Sequence, residues 1–409
     1  MINHFCIPHY KIQNKHLIIL IVLLIFLFSI FQPLSTFCAD EKIFKISSDL
    51  DQTVVKELDN IDFSCLNDIV VEFNENNVNL FSIDSIKNKV YSIISGENAL
   101  SYSNVIACLF SNLVAMIIRY LPMLSVIIAI GVISNLLNGI KSKFNEKSTS
   151  NLIDLVCFIS VCVLIIASVM SLVKNTTKAI NSMVEQMNIV FPILLTLMVA
   201  VGSNATAGAF QPIVAIMSTY VADIFRYYIT PLFMISFAFS IISNLSTNVK
   251  LDKFSSFIAS MFKWSVGIIF TLFFAVFTIQ GITAGSFDSL SIRTTKYTIK
   301  SYVPVMGGYL ADGMDLILSS TILIKNSVGL VGIFMIISTI ISPLIEIVVF
   351  SLLLKLLSAV LQPMGNSKLS NFLTSTSKTI TILSTSLIAI GFMYLISTGL
   401  VITGSNMVI

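Results

Sequence analysis

The chain has 409 residues, of which 56% are hydrophobic and 11% charged, and its mean hydropathy is +0.92. A soluble protein carries about 25% charged residues, so this composition excludes a soluble globular protein. Several apolar runs reach the ~20 residues that a helix needs to cross the hydrocarbon core. The ten-residue alternating segments of a transmembrane β-barrel are absent from the sequence. The sequence therefore predicts an all-α polytopic membrane protein.

The first 39 residues have the pattern of a secretory signal peptide. A start with two lysines and three histidines precedes an apolar run at 17–31 and the polar exit QPLSTFCAD. We expect cleavage near 38–39; the alternative is a retained signal anchor. Either arrangement places the segment that follows, 40–103, outside the cytoplasm.

Charge is distributed unevenly between this segment and the rest of the chain. Residues 40–103 contain twelve acidic residues and five lysines, whereas the chain from 104 onward contains nine acidic and seventeen basic residues. No basic patch of the kind that neutralises nucleic-acid phosphates is present. We interpret 40–103 as an acidic extracytoplasmic segment. It forms either short helices docked on the membrane body or on a partner, or a solvated linker.

A multi-pass membrane domain is predicted over 104–409. Arg119 and Pro122 divide its first apolar run, which favours an interfacial helix at 104–119 before a spanning helix at 121–140. The basic loop after that helix predicts a cytoplasmic side. Glycines near 202–208 allow a re-entrant hairpin there. Eight spans are predicted in all, at 121–140, 152–173, 187–202, 205–224, 229–247, 257–282, 328–354 and 379–402.

The sequence has no pattern of catalytic or metal-ligating residues. His4, His9 and His16 all precede the first apolar run, so signal cleavage would remove every histidine. The six cysteines form no CxxC pair, and nucleophile-elbow, P-loop, HExxH and dinucleotide motifs are absent. Asp312 and Asp315 as the carboxylate pair of an intramembrane hydrolase have no support in the flanking sequence. We predict a protein that is not an enzyme and has no cofactor.

The stretch 280–332 is polar although it lies between long apolar runs. A charge in hydrocarbon costs at least ~2.5–3.5 kcal/mol, so its ionisable residues are the candidate functional residues. Alternation of the spans places 283–327 on the non-cytoplasmic side, against the positive-inside tendency. The seven residues are Asp288, Arg293, Lys296, Lys300, Asp312, Asp315 and Lys325.

Two helical pieces around a Pro/Gly hinge are predicted within 283–327. In the first piece Asp288 is a candidate N-cap, and the three basic residues after it share one helical stripe. In the second piece, after Pro304, the two aspartates share a polar stripe with Ser319 and Asn326. Three interpretations stay open: an interfacial amphipathic hairpin, a re-entrant lining of a water-filled path, or a docking surface for a partner.

Glu346 and Lys355 are two further ionisable residues within an apolar run. Nine residues separate them, which is half a turn out of phase on a helix. We therefore predict that they have different partners or lie near opposite membrane surfaces.

The order of the polar motifs resembles stage III sporulation protein AE, a family of endospore-forming bacteria. The signal-like start, the acidic exported segment and FPILL before an Ala/Gly-rich break are similar as well. The motifs are Gln280-Gly281, Asp288, Arg293-Thr294 with Lys296, Val303 to Gly308, Asp312 with Asp315, and Lys325 to Gly332.

The resemblance implies a function in spore formation. The family acts in the mother-cell membrane around the engulfed forespore, with the other stage III A-group proteins and with stage II sporulation protein Q of the forespore. Together they form a secretion-like channel, or feeding apparatus, that sustains forespore gene expression, and no enzymatic activity is attributed to the family. The alternative is a stand-alone secondary transporter or permease that uses buried charges for coupling.

Overall fold

A computed structural model describes residues 86–94, 102–141, 147–245, 251–302 and 307–404. The predicted signal peptide and residues 40–85 of the acidic segment lie outside the described residues. Within the described ranges the chain is helical apart from short connections, and these ranges contain no strand. The prediction of an all-α polytopic membrane protein is confirmed.

Nine α-helices make up this part of the chain, and two π-helical turns, Met217–Val221 and Phe225–Ile229, flank the shortest of them. These turns make residues 204–245 one long helical run. The helices are α1 Ile86–Ile94, α2 Tyr102–Lys141, α3 Lys147–Ala200, α4 Asn204–Ile216, α5 Ala222–Ile224, α6 Thr230–Leu245, α7 Asp252–Tyr302, α8 Gly307–Leu361 and α9 Ser367–Gly404.

Six of the described helical runs are long and apolar enough to cross a membrane, where the sequence predicts eight. The spans predicted at 152–173 and 187–202 are parts of α3, because the polar stretch between them contains neither proline nor glycine to end the helix. The spans predicted at 205–224 and 229–247 are joined through the two π-helical turns.

Helix α2 is continuous from Tyr102 to Lys141, so the predicted interfacial helix at 104–119 is not a separate element. Pro122 lies inside α2 although proline removes a helical hydrogen bond. Tyr120 and Leu124, on either side of it, are buried, and the Tyr120 ring lies 4.8 Å from the ring of Phe350 in α8. Packing against α8 therefore overrides the local preference for a break.

Helix α8 is the centre of the bundle and contacts α1, α2, α3, α7 and α9. Small residues allow these helices to approach closely. A Cβ added at Gly332 would lie 2.9 Å from Cγ1 of Val190 in α3. Between α8 and α9, hydroxyl groups bond across the interface, as in the 2.9 Å contact of Ser358 with Ser370.

Helix α1 is the described end of the acidic segment. Its side chains Val90 and Ile94 are buried, and the helix contacts α8. Of the two alternatives for 40–103, a short docked helix is therefore what the structure shows at 86–94.

Candidate functional site

The polar stretch forms the C-terminal end of α7 and the N-terminal end of α8. The two predicted helical pieces are thus the ends of two long helices, and the residues between them, 303–306, lie outside the described part. The prediction that Asp288 is the N-cap of its own helix is wrong, because Asp288 lies in the interior of α7. Its side chain is 3% exposed.

Asp288 instead caps a different helix, α4. Its Oδ1 accepts a hydrogen bond from the backbone N–H of Ala205 at 2.9 Å, and its Oδ2 accepts one from the N–H of Thr206 at 2.8 Å. The first N–H groups of a helix have no partner inside the helix, and its N-terminus favours negative charge. The buried charge of Asp288 is therefore satisfied by backbone groups that α4 leaves free.

The turn before α4 needs a glycine for two reasons. Gly202 has φ +85°, which disfavours any side chain. A Cβ at this position would also lie 3.0 Å from Cδ1 of Ile292, one helical turn after Asp288. The Gly/Ala-rich break in the sequence is thus a tight turn that packs on α7.

An apolar cluster holds this turn against both polar helix ends. Val201, Ile292, Leu318 and Ile322 are buried together, and Met314 packs against them. The cluster joins the end of α3 with α7 and α8. Together with the Asp288 cap it forms one joint between four helices, which we call the α4 joint.

Lys296 follows Ile292 by one turn and forms an ion pair with Asp315 of α8. The structure therefore brings the basic stripe and the acidic stripe together at this pair. The side chains are 22% and 45% exposed, and exposed ion pairs contribute about 0.2–1 kcal/mol. The pair therefore sets the register of the two helices more than it stabilises the fold.

The other four residues of the predicted site differ in their surroundings. Arg293 is exposed. Lys300 lies in α7 and Asp312 in α8, and their side chains are outside the described part, so their role as lining or docking residues stays a prediction. Lys325 is fully buried and donates a hydrogen bond from Nζ to the carbonyl oxygen of Ile402 at 2.8 Å.

The bond of Lys325 mirrors the bond of Asp288. Ile402 lies in the last turn of α9, where carbonyl groups lack helical partners and positive charge is favoured. One buried anion therefore caps the start of a helix and one buried cation caps the end of another. Both are members of the polar stretch, and both bond to backbone groups of helices distant in sequence.

The structure also shows a buried polar cluster that sequence reasoning did not assemble. Glu346 is 3% exposed. Its Oε1 accepts hydrogen bonds from Tyr120 Oη at 2.8 Å and from Arg119 Nη1 at 3.2 Å. Its Oε2 accepts a hydrogen bond from Asn175 Nδ2 at 2.8 Å. The cluster links α2, α3 and α8. Lys355 is exposed and is not among these partners of Glu346; that the two have different partners or lie near opposite membrane surfaces stays a prediction.

The sequence marked Arg119 and Glu346 singly, as charges inside apolar runs. Their separation of 227 residues gave no signal that they pair. Within the described ranges, no group of three or more His, Cys, Asp or Glu side chains is placed to hold a metal ion. The chemistry of both polar regions is that of hydrogen-bonded helix contacts.

Comparison with known proteins identifies the family. A family model described as stage III sporulation protein AE matches residues 85–405. The chain belongs to the stage III sporulation protein AE family. Stage III sporulation protein AE of Bacillus subtilis (strain 168) is 24% identical over 324 residues, which are 79% of this chain and 81% of the relative. No solved structure matches.

The match to the stage III sporulation protein AE family confirms the resemblance drawn from the polar motifs. It begins at the start of α1 and extends through α9, so the α4 joint and the Glu346 cluster both lie inside the family region. Membership implies a sporulation function for a membrane protein.

Proposed function

We propose that this protein is a membrane component of the mother cell-to-forespore channel, or feeding apparatus, on which endospore formation and forespore gene expression depend. The observation that carries the proposal is the family match over residues 85–405, which includes every described helix. In this proposal the protein has no catalytic activity of its own. It lies in the mother-cell membrane around the forespore, after removal of a signal peptide.

The hydrogen bonds made by the buried charges support a structural role for this protein. Asp288 and Lys325 bond to backbone groups at helix ends, and Glu346 is bonded on both oxygens. These groups are occupied in holding helices together. A framework of this kind supplies a fixed membrane-embedded part to an assembly whose other proteins provide motion or energy.

The arrangement of the helix ends supports one orientation of the protein in the membrane. By alternation of the spans, connections α2–α3, α6–α7 and α8–α9 share one side. The basic segments 141–147 and 248–253 lie at the first two, and Lys368, in the first turn of α9, lies at the third, which favours the cytoplasm. The loop predicted at 368–378 is part of α9. The α4 joint lies at the other end. Six spans, like eight, place 40–103 and 283–327 on the non-cytoplasmic side. They also move the turn at 201–203 to that side, so the joint and 40–103 face the intermembrane space in this proposal.

Partner proteins complete the proposal. We expect the protein to associate with the other stage III A-group sporulation proteins in the mother-cell membrane and with stage II sporulation protein Q from the forespore. The first of these interactions tests the proposal directly, because a channel component must be found in a complex.

The alternative function is a stand-alone secondary transporter or permease. The Glu346 cluster favours it, since a carboxylate inside a spanning helix is the type of group that couples ion movement. Its two oxygens already have three donors. That full set of partners suits a structural contact better than a group that gains and loses an ion.

One experiment distinguishes the two functions. In an endospore-forming host that lacks its own AE protein, a tagged copy of this chain is expressed and purified from sporulating cells, and a late forespore reporter is measured in parallel. We expect the copy to restore the reporter and to purify with the other A-group proteins. Solute movement by the purified chain alone in vesicles, with no associated protein, would support the transporter instead.

A further inference from the structure

The end of α7 has two faces with opposite properties. Asp288, Ile292 and Lys296 follow one another at four-residue spacing and point into the α4 joint. Leu290, Arg293 and Tyr297 form a second stripe, centred about 130° round the helix from the first by the 100° step per residue, with Arg293 about 60° from Lys296. Leu290 is 67% exposed, Tyr297 is 72% exposed and Arg293 is exposed as well. We call these three residues the outer α7 face.

The outer α7 face lies beyond the apolar part of its own helix. The apolar part of α7 is Lys253–Ile279, whose 27 residues cover about 40 Å at 1.5 Å per residue, more than the ~30 Å hydrocarbon core. Tyr297 is 18 residues, or about 27 Å, beyond Ile279. On the neighbouring helix, Ile317 is 53% exposed beside Leu318, which packs on Ile292.

The face is held in a fixed position from behind. The Asp288 cap, the cluster around Ile292 and the Lys296–Asp315 pair anchor three successive turns of α7. An interface on a rigid helix binds without the entropic cost of ordering a flexible segment. Large exposed apolar groups on a rigid element, outside the lipid, are typical of a protein-docking surface.

Charge indicates what kind of partner docks there. Lys296 is neutralised by Asp315, but no carboxylate in the described ranges pairs with Arg293. Arginine and tyrosine are enriched among residues that dominate binding energy. A two-fold contact with a second copy would pair the residues of this face with one another, and none of the three is a carboxylate. The unpaired guanidinium therefore favours a partner that supplies a carboxylate.

We propose that the outer α7 face, with Ile317, is a docking surface for an acidic segment of another protein. A carboxylate of that segment binds Arg293, and its apolar side chains cover Leu290, Tyr297 and Ile317. This inference deepens the proposed function by assigning a surface to a partner, and it rests on that function for the cells in which the partner is sought.

Site-directed photocrosslinking in sporulating cells tests it. Tyr297 is replaced by benzoylphenylalanine in the full-length chain, and the adduct is identified by mass spectrometry. The matched control is Leu356, which is 57% exposed beside exposed Lys355 near the other end of α8. We expect a protein adduct at position 297, in a segment of net negative charge, and none of that kind at position 356.

Charge variants make the test specific. Arg293→Glu places like charges together and should lower the adduct yield at position 297 by about tenfold or more, whereas Arg293→Lys and the control Lys355→Glu should keep it. An adduct with lipid, with this chain itself (its own acidic segment 40–103 included) or with a basic segment would overturn the inference. An absent adduct, or a yield unchanged by Arg293→Glu, would overturn it as well.

The docking surface and the proposed function are tested by separate results. Recovery of the forespore reporter by the wild-type chain measures the function whether or not position 297 forms an adduct. A restored reporter with no protein adduct would reject the surface and keep the function.

Discussion

Buried charges in this protein are matched to specific polar groups at the scale of single residues. Asp288 and Lys325 both lie in α7–α8, yet each bonds to the backbone of a helix distant in sequence. A buried charge is costly unless hydrogen bonds replace its water. Free helix ends supply such bonds together with a favourable dipole. The position of each buried charge and the position of the helix end that it bonds to therefore depend on each other.

Loss of the Asp288 cap should destabilise the fold measurably. Asp288→Ala leaves the N–H groups of Ala205 and Thr206 buried without an acceptor, and we expect a loss of about 1–3 kcal/mol. Asp288→Asn keeps one acceptor and should lose less. Thermal unfolding of the detergent-solubilised protein measures both changes. Asp223→Asn, at a carboxylate that is 41% exposed, is the control and should stay within about 0.5 kcal/mol.

The Glu346 cluster predicts a second effect on stability. Glu346→Ala removes the acceptor for Arg119, Tyr120 and Asn175. We expect a loss of about 3 kcal/mol, the low end of the range for a broken buried ion pair, because the Arg119 side chain is 52% exposed. The midpoint of thermal unfolding in detergent gives the value.

Glu346→Gln separates the structural interpretation from ion coupling. The amide oxygen of the new side chain can still accept from Tyr120, so we expect the variant to fold and to support spore formation. Heat-resistant spore titres measure the result. If the variant accumulated normally, unfolded at the wild-type temperature and still failed to form spores, the transporter alternative would gain support.

At the scale of helices, the sequence predicts the apolar elements better than the places where they end. The polar residues 174–186 suggest a loop, but nothing in them breaks a helix, and the neighbouring turns of α3 pack on α8. Pro122 suggests a break, but burial of Tyr120 overrides it. The turn at Gly202 was correctly placed, since glycine at positive φ is a local requirement.

The candidate site shows the same division between local and long-range information. Helical periodicity was sufficient to place Lys296 on a basic stripe, because a stripe depends on spacing alone, but its pairing with Asp315 of another helix is seen only in the structure. The role of Asp288 could not be found this way, since its partners lie 82–83 residues away in a helix whose start the sequence did not fix. The pairing of Arg119 with Glu346 is non-local for the same reason.

The ion pair between α7 and α8 gives a prediction at this scale. Lys296→Glu faces Asp315 with a like charge, and we expect impaired spore development after engulfment at a normal protein level. Combining it with Asp315→Lys should restore the opposite-charge contact and much of the spore titre. Charge reversal at Asp312 should impair development similarly. Wild-type titres in both single reversals would rule out a functional role for the polar stretch.

Three of the described helices are longer than a membrane is thick. Helices α3, α7 and α8 have 54, 51 and 55 residues, which correspond to about 77–83 Å along the helix axis. The hydrocarbon core is ~30 Å thick, so a large part of each helix extends beyond it. An extension on one side would place the α4 joint away from the membrane, within reach of proteins in the intermembrane space.

Cysteine accessibility decides the direction of that extension. In a chain whose six native cysteines are replaced, single cysteines at the exposed positions 294 and 297 of α7 should react with a membrane-impermeant maleimide from the non-cytoplasmic side. A cysteine at exposed position 355 of α8 should react only after the cytoplasmic side is opened. These positions lie at the two ends of the bundle, so labelling in the opposite pattern would show that the topology is inverted. Labelling of 294 but not 297 would indicate that a bound protein covers the outer α7 face, because both side chains are exposed in the isolated chain.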